Sequence, residues 1–447
     1  MINRYLGNKQ SILNPVLEEI ARFARPGDHV VDAFSGSLSV SLGLKAAGYR
    51  VTANDVNLFS WVLAEAYLTS RELPASDVAT LIPDEYRPGA VDRARAALSA
   101  SRGEAGFRFA ADADLREAAV PLGALLQYLQ VADQEDLPSQ YRRNDFFDAY
   151  CEEGARSGFV SSRGTSGRRR FFTSQNAHRI DAILGHLRWW HRSGLVDPHS
   201  RALVLASLMR AVERTSNTQG TFHDFPRDTY DSRALSPLSL EIPPLDIMLT
   251  GLSTNRAGRE QDSLDFIRTV DHHAVLYLDP PYNFRQYSAY YFMINLISRY
   301  VEIDDLDEYF GALTYVRGQN PADDFVSSFC KPARFIDDMR RLIQRARCDA
   351  VVISYFNGRN HWNRFDSGPD DTGQLLLSQL LSEPHFVPGS LEVRTVPRRN
   401  YASYGGFSAR DVDELLISAR VRHNDPDDTS GAVRDGAPAV VHVGLRE

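Results

Sequence analysis

The stretch HVVDAFSGSLSVSLGLKAAGYRVTANDVN, beginning at His29, constrains the fold more than any other part of the chain. Val30-Val31 with Ala33-Phe34 reads as a buried strand. Gly36 punctuates a turn into a helix carrying Val40, Leu42 and Leu44, and Gly48 ends that helix. Arg50-Val51-Thr52-Ala53 is a second strand that stops at Asn54-Asp55. This is a βαβ unit, and it commits the chain to a parallel sheet with covering helices. Its geometry suits an adenosine-containing ligand, with open backbone at the first turn and a carboxylate for ribose hydroxyls at Asp55, about 20 residues on. A glycine turn alone serves tight packing in many α/β proteins, so the acid at that distance carries the functional reading.

Further along, Leu276-Tyr277-Leu278 reads as a short buried strand that ends in Asp279-Pro280-Pro281-Tyr282. The two prolines remove two backbone donors and fix φ, so the chain leaves the sheet in one rigid extended conformation. A carboxylate, a carbonyl and an aromatic face are thereby held close together. An exocyclic amino group on a planar base needs such a set: acceptors to orient its hydrogens and a ring to stack on. Here the sequence resembles the Dam-type adenine-N6 DNA methyltransferases, whose catalytic motif is DPPY. The resemblance implies that Asp279, Pro280, Pro281 and Tyr282 form the catalytic element and that the cofactor is S-adenosylmethionine.

Other residues match the family's motifs in its order. Tyr5 and Lys9 match an aromatic-x-Gly-x-Lys element that binds the cofactor's carboxylate. Phe34 and Gly36 match the first motif, Phe-x-Gly-x-Gly, although its second glycine position holds Leu38, whose Cβ narrows the approach to the methionine part of the cofactor. Asp55 matches the ribose-binding acid. Asp262 resembles the third motif, an acid at a strand end beside the adenine ring, and reads equally well as a helix N-cap before Leu264, Phe266 and Ile267. Asp279 itself belongs to the cofactor site as well as to the catalytic one. The fold implied is a Rossmann-like, seven-stranded, mostly parallel sheet with helices on both faces and one antiparallel strand near the C-terminus.

That resemblance divides the chain into a first catalytic part (1–70), an inserted, mainly helical target-recognition region (71–255), a second catalytic part bearing DPPY (256–421) and a partly ordered tail (422–447). The insertion is where a nucleic-acid partner is expected. The whole chain has a formal net charge of −8, yet residues 141–192 hold ten arginines against five acids. Neutralising phosphates needs such a concentration of positive charge. Residues 151–170 are rich in Gly, Ser and Arg without periodicity and read as a flexible basic loop, with Arg168, Arg169 and Arg170 as phosphate contacts. Thr173 or Ser174 caps a helix lined by Ile180, Ile183, Leu184 and Leu187, and a second helix runs over about 199–214. Asn217-Thr218-Gln219-Gly220-Thr221-Phe222 then forms a polar loop with an aromatic tip. Asn217 and Gly220 suit base edges, and Phe222 suits the gap left by an extruded base. The family carries similar elements near Thr173–Ala177 and Asn217–Gly220. Behind DPPY, Arg285 and Tyr287 belong to a basic, aromatic cluster, and Arg398 and Arg399 sit in a Gly- and Tyr-containing loop between two late strands, a further phosphate contact.

Composition excludes several classes. No apolar run approaches the roughly 20 residues of a membrane span. The three scattered cysteines argue against a disulfide framework and a zinc cluster. MINRYLGNKQ has no signal-peptide core, which places the protein in the cytoplasm. The expected function is S-adenosylmethionine-dependent methylation of adenine N6 in duplex DNA, on a flipped base, possible company for a cognate restriction endonuclease. RNA adenine-N6 or DNA cytosine-N4 methylation shares the chemistry, and a catalytically silent DNA-binding protein on the same scaffold is the reading from another class.

Overall fold

The computed structural model describes residues 5–74, 76–100, 112–218, 220–358, 360–363, 371–399 and 411–422. Nine strands are described: β1 His29–Asp32, β2 Arg50–Ala53, β3 Gly158–Val160, β4 Ser166–Arg168, β5 Arg256–Ala257, β6 His273–Leu278, β7 Cys348–Phe356, β8 Glu392–Arg399 and β9 Asp411–Arg420. Seven of them form one sheet in the order β5-β2-β1-β6-β7-β9-β8. The pairs β2/β5, β1/β2, β1/β6 and β6/β7 are parallel. β9 is antiparallel to both β7 and β8 and so is the single reversed strand. This is the expected methyltransferase-type sheet.

The strands alternate apolar residues between two buried faces, as strands covered on both sides must. Val30, Val51, Val275 and Val352 point into one core, while Val31, Leu276, Val351 and Ile417 point into the other. The second core is closed by the helix Pro332–Arg345 through Phe335, Met339 and Leu342. The first runs without a break into the helices that lie between β2 and β5 in the chain, where Ile183, Leu184, Trp190, Leu205 and Met209 belong to it. These helices therefore pack onto the sheet rather than around a core of their own. Thr173 caps the helix Ser174–Arg192 and Asp197 caps Pro198–Thr215, each accepting a backbone N–H of the first turn.

Residues 151–170 differ from the flexible loop expected of their composition. β3 and β4 pair as an antiparallel hairpin turned at Gly164 (φ +80°). Phe159 anchors it, its ring 5.9 Å from that of Phe225. A single aromatic anchor and a glycine turn are weak local signals beside so many polar neighbours.

Register decides where the site lies. Asp32 on β1 stands opposite both Ala53 on β2 and Tyr277 on β6. The turn holding Phe34 and Gly36, the acid Asp55 and the DPPY element consequently leave the sheet side by side at the carboxyl ends of three neighbouring strands, where open α/β sheets bind ligands.

Candidate active site

The DPPY element starts a chain of four alternating charges. Lys9 Nζ lies 2.7 Å from Asp279 Oδ1 and 3.1 Å from Glu414 Oε1, and it donates to the carbonyl of Gly7 at 3.2 Å. Those contacts use all three ammonium hydrogens. Glu414, on β9, also accepts from Ser354 Oγ at 2.7 Å and from Arg398 Nη1 at 2.9 Å. Its side chain is fully buried, Lys9 is almost so, and Asp279 keeps 19% exposure toward a cleft. Burial pushes the Asp279 carboxyl up to about 6, although Lys9 pulls the other way. Burial also works against the Glu414 carboxylate, but Lys9 and Arg398 outweigh it and hold Glu414 below its ordinary range. Tyr282 stands at the cleft with its ring 4.9 Å from that of Phe356.

The glycine turn after β1 is shaped by its neighbours. Gly36 has φ +47°, and a Cβ there would meet the Tyr5 ring at 2.6 Å, so only glycine fits under that ring. Tyr5 in turn stacks on Tyr291 at 4.6 Å. Asp55 accepts from the amide of Gly36 (2.9 Å) and from both the amide and side chain of Asn57 (2.9 and 2.8 Å), with the Val56 amide also directed at it. Asn295 fixes Asn57 through a 2.9 Å bond to its Oδ1. Leu38 does not narrow the site. It takes the left-handed conformation (φ 64°, ψ 14°), at a cost of roughly 1–2 kcal/mol for a residue with a Cβ, and turns its side chain wholly into the core.

Two cavities meet here. The larger, about 660 Å³, is lined by Tyr5, Phe34, Asp55, Asp262, Asp279, Pro280, Pro281, Tyr282 and Tyr287 among others. The smaller, about 260 Å³, is lined by Lys9, Asp32, Gly36, Ser37 and Ser39, and again by Asp279. Asp279 thus stands in the wall shared by both. Asp262 is not at a strand end, since β5 stops at Ala257. It caps the short helix Ser263–Phe266, accepting from Leu264 N at 2.7 Å, and lines the larger cavity from there. Asp32 accepts from Ser41 Oγ at 2.6 Å through one oxygen, and its other oxygen has no partner among the described residues. Burial pushes its carboxyl up to about 7.

A family model described as D12 class N6 adenine-specific DNA methyltransferase matches residues 5–86 and 120–311, more than half of the chain. The chain belongs to this family. It is 25% identical over 417 residues to the Type II methyltransferase M.FokI of Planomicrobium okeanokoites, covering 93% of this chain and 52% of that protein. It is also 25% identical over 421 residues to the modification methylase LlaI of Lactococcus lactis subsp. lactis, covering 93% and 54%. Over 356 residues it is 25% identical to the Type II methyltransferase M.NlaIII of Neisseria lactamica, covering 79% and 83%. The chain spans about half the length of the first two of these relatives.

In this D12-class chain the residues expected to touch nucleic acid are not all placed for it. Arg169 is buried, its guanidinium donating to four backbone carbonyls. Asn217 is buried too, bonded to the carbonyls of Arg170 and Thr229 and to the amide of Asp231. Phe222 is buried, its amide donating to the carbonyl of Tyr290. Arg398 belongs to the charge chain under Asp279 rather than to a surface loop. These four are corrections, and in each a backbone carbonyl, a carboxylate or the core takes the group that DNA was expected to take. Arg168 stays exposed on β4, Arg170 pairs with Glu152, and Gly220 sits in an open turn at φ +102°. Arg285 lies 5.8 Å over the Tyr290 ring, and Tyr287 lines the larger cavity beside Tyr5. The side chain of Arg399 and the loop 400–410 lie outside the described residues, as does the tail from 423.

Glu414, Ser354, Asp32 and Asn57 complete the site and were not among the expected residues. Glu414 had one available signal, an acid directly before the apolar run Leu415–Ile417.

Proposed function

We propose that this chain transfers a methyl group from S-adenosylmethionine to N6 of an adenine turned out of duplex DNA. The observation that carries the reading is the place of Asp279 at the junction of two cavities, with Pro280, Tyr282 and Asp55 on the larger and Gly36 and Asp32 on the smaller. The lining suits the cofactor: Asp55 on the larger cavity for a ribose hydroxyl, the Gly36 turn on the smaller one, and an unpartnered Asp32 oxygen for an ammonium group. When bound, S-adenosylmethionine supplies an electrophilic methyl on a cationic sulfur. Asp279 and the Pro280 carbonyl accept the amino hydrogens, which keeps electron density on the nitrogen as it becomes tetrahedral. Such bonds strengthen in the transition state and so lower the barrier. Tyr282 stacks on the base, and holding base and donor in line supplies much of the rest. No base is needed before transfer, because the proton leaves once the nitrogen is cationic.

Residues 1–70 and 256–421 carry catalysis in this reading, and 71–255 select the target. The partner is duplex DNA, the setting is the cytoplasm, and a cognate restriction endonuclease fits a chain similar to Type II methyltransferases. No helix among the described residues is long and apolar enough to cross a membrane. Incubation with methyl-labelled S-adenosylmethionine and unmethylated duplex DNA, then digestion to nucleosides, is expected to place the label in N6-methyladenine. Label only in N4-methylcytosine, only with RNA, or nowhere overturns the proposal.

Two further outcomes follow from the geometry. Asp279 accepts hydrogens best when ionised, and its carboxyl is raised to about 6, so methyl transfer is expected to fall as pH drops through about 6. A rate profile flat from pH 7 to the acid limit of folding, taken here as roughly pH 5, counts against that role. Since Phe222 is buried, the exposed aromatic at the mouth is Phe284, 65% exposed between the cavity-lining residues Tyr282 and Gln286. Phe284→Ala is expected to weaken duplex binding by roughly 1–3 kcal/mol, as for other base-stacking aromatics, and to leave cofactor affinity unchanged in titration calorimetry.

A further inference from the structure

We infer that Glu414 is a positioning residue for methyl transfer, holding the Lys9 ammonium between two carboxylates so that Asp279 stays an effective acceptor. The inference rests on the reading of Asp279 as the group that accepts the amino hydrogens. Lys9 stands 2.7 Å from Asp279 and 3.1 Å from Glu414, and its third hydrogen goes to the Gly7 carbonyl. It cannot approach one carboxylate more closely without leaving the other. Glu414 is itself fixed from two further sides, by Ser354 on β7 and Arg398 on β8. Arg398 is held against the Phe356 ring, 5.6 Å from its centroid. The ladder sets this arrangement, since Glu414 on β9 stands opposite Phe356 on one side and Val396 on the other.

The physical consequence lies in how the charge is divided. Among the described residues Asp279 receives a hydrogen bond only from Lys9. An ammonium devoted to Asp279 alone would bind its lone pairs tightly and weaken them as acceptors. Shared with Glu414, the same ammonium keeps Asp279 ionised in a buried site while leaving its basicity largely intact. Lys9, Glu414 and Arg398 are the charged groups that press on Asp279, with Asp32 on the neighbouring strand and the hydroxyls of Tyr277, Tyr282 and Tyr287 around them. Glu414 pushes the Asp279 carboxyl up, and Lys9 pulls it down.

Two substitutions move this balance in opposite directions. Glu414→Gln keeps the shape and the bond from Ser354 but removes the charge, so Lys9 passes wholly to Asp279. The Asp279 titration is expected to shift to lower pH and kcat to fall, with KM for DNA little changed. Ser354→Ala removes a neutral donor from Glu414, which then draws Lys9 more strongly, and the Asp279 titration is expected to shift to higher pH. The titration is followed by carbon-13 NMR of protein labelled at aspartate carboxyls, with Asp279→Asn identifying the resonance and separating it from Asp32. This readout does not need turnover, so a failure of the methylation reading and a failure of the positioning role can be told apart. Ser354→Ala, a small change at one hydroxyl, serves where Glu414→Gln does not fold. A titration that stays put in the variants, or that rises in Glu414→Gln, overturns the inference and leaves Glu414 a structural residue.

Discussion

Asp279→Asn is expected to lower the rate of methyl transfer about 10²–10³-fold, the usual loss when one group aimed at developing charge is removed. Asparagine keeps the shape and one acceptor oxygen, so the amino group can still be oriented. It lacks the negative charge that opposes the positive charge growing on N6 as the methyl arrives, and that interaction is strongest in the transition state. The fold should survive the change. Lys9 retains Glu414 and the Gly7 carbonyl, and Asp279 is the most exposed member of the charge chain. Single-turnover rates with saturating duplex separate the chemical step from binding, and a thermal melt checks folding. A rate close to that of the unaltered chain, in folded protein, would remove Asp279 from the chemistry.

Arg169→Ala is expected to lower stability by several kcal/mol, since each buried carbonyl left without a donor costs about 1–3 kcal/mol. Arg169 has 1% exposure, and its hydrogen-bond partners among the described residues are backbone carbonyls rather than acids. Its guanidinium donates to the carbonyls of Arg156 (2.9 Å), Val316 (3.0 Å), Tyr315 (3.0 Å) and Ala149 (3.4 Å). Alanine would leave these carbonyls without a donor in a space that is also newly empty. The bonds tie the β3–β4 hairpin to the segment Tyr315–Gly318, and Gly318 is packed so closely that a Cβ there would meet Arg169 at 2.8 Å. Urea unfolding monitored by circular dichroism reads the loss directly. Arg168 is exposed, with its Nη1 donating to the carbonyls of Glu152 and Gly154, so Arg168→Ala is expected to cost less stability than Arg169→Ala and to reduce the salt slope of DNA binding by about 1. Equal destabilisation by both substitutions would contradict the contrast between a buried strut and a surface charge.

The arginines mark where reading a sequence stops being informative. Ten of them between 141 and 192 suggest a phosphate-binding face. In the fold, Arg142 caps the carbonyls of Leu137 and Glu135, Arg188 those of Tyr300 and Ile303, and Arg143 pairs with Asp145 and Asp307. A guanidinium reaches carbonyls and phosphates with the same five donors, so composition cannot tell an internal brace from a DNA contact. Phe222 and Asn217 failed in the same way, because an aromatic at a loop tip and an amide beside a glycine also serve burial and turn closure.

Local chemistry was enough for the parts of this protein whose constraints are local. A glycine in the turn after the first strand, two prolines after an aspartate and an acid at the end of a second strand each impose a backbone path over a few residues, and those paths recur in the fold. The βαβ unit made a parallel sheet legible at short range, whereas the seven strands and the one reversed strand were what the resemblance to Dam-type methyltransferases implied. What only the tertiary structure decided is the set of partners. Lys9, from the first described turn, and Glu414, from the last described strand, meet at Asp279 because β9 inserts beside β7, and no spacing between residues 9, 279 and 414 encodes that meeting. Charges buried together must balance within a few ångströms, and only the packed sheet brings those ångströms about.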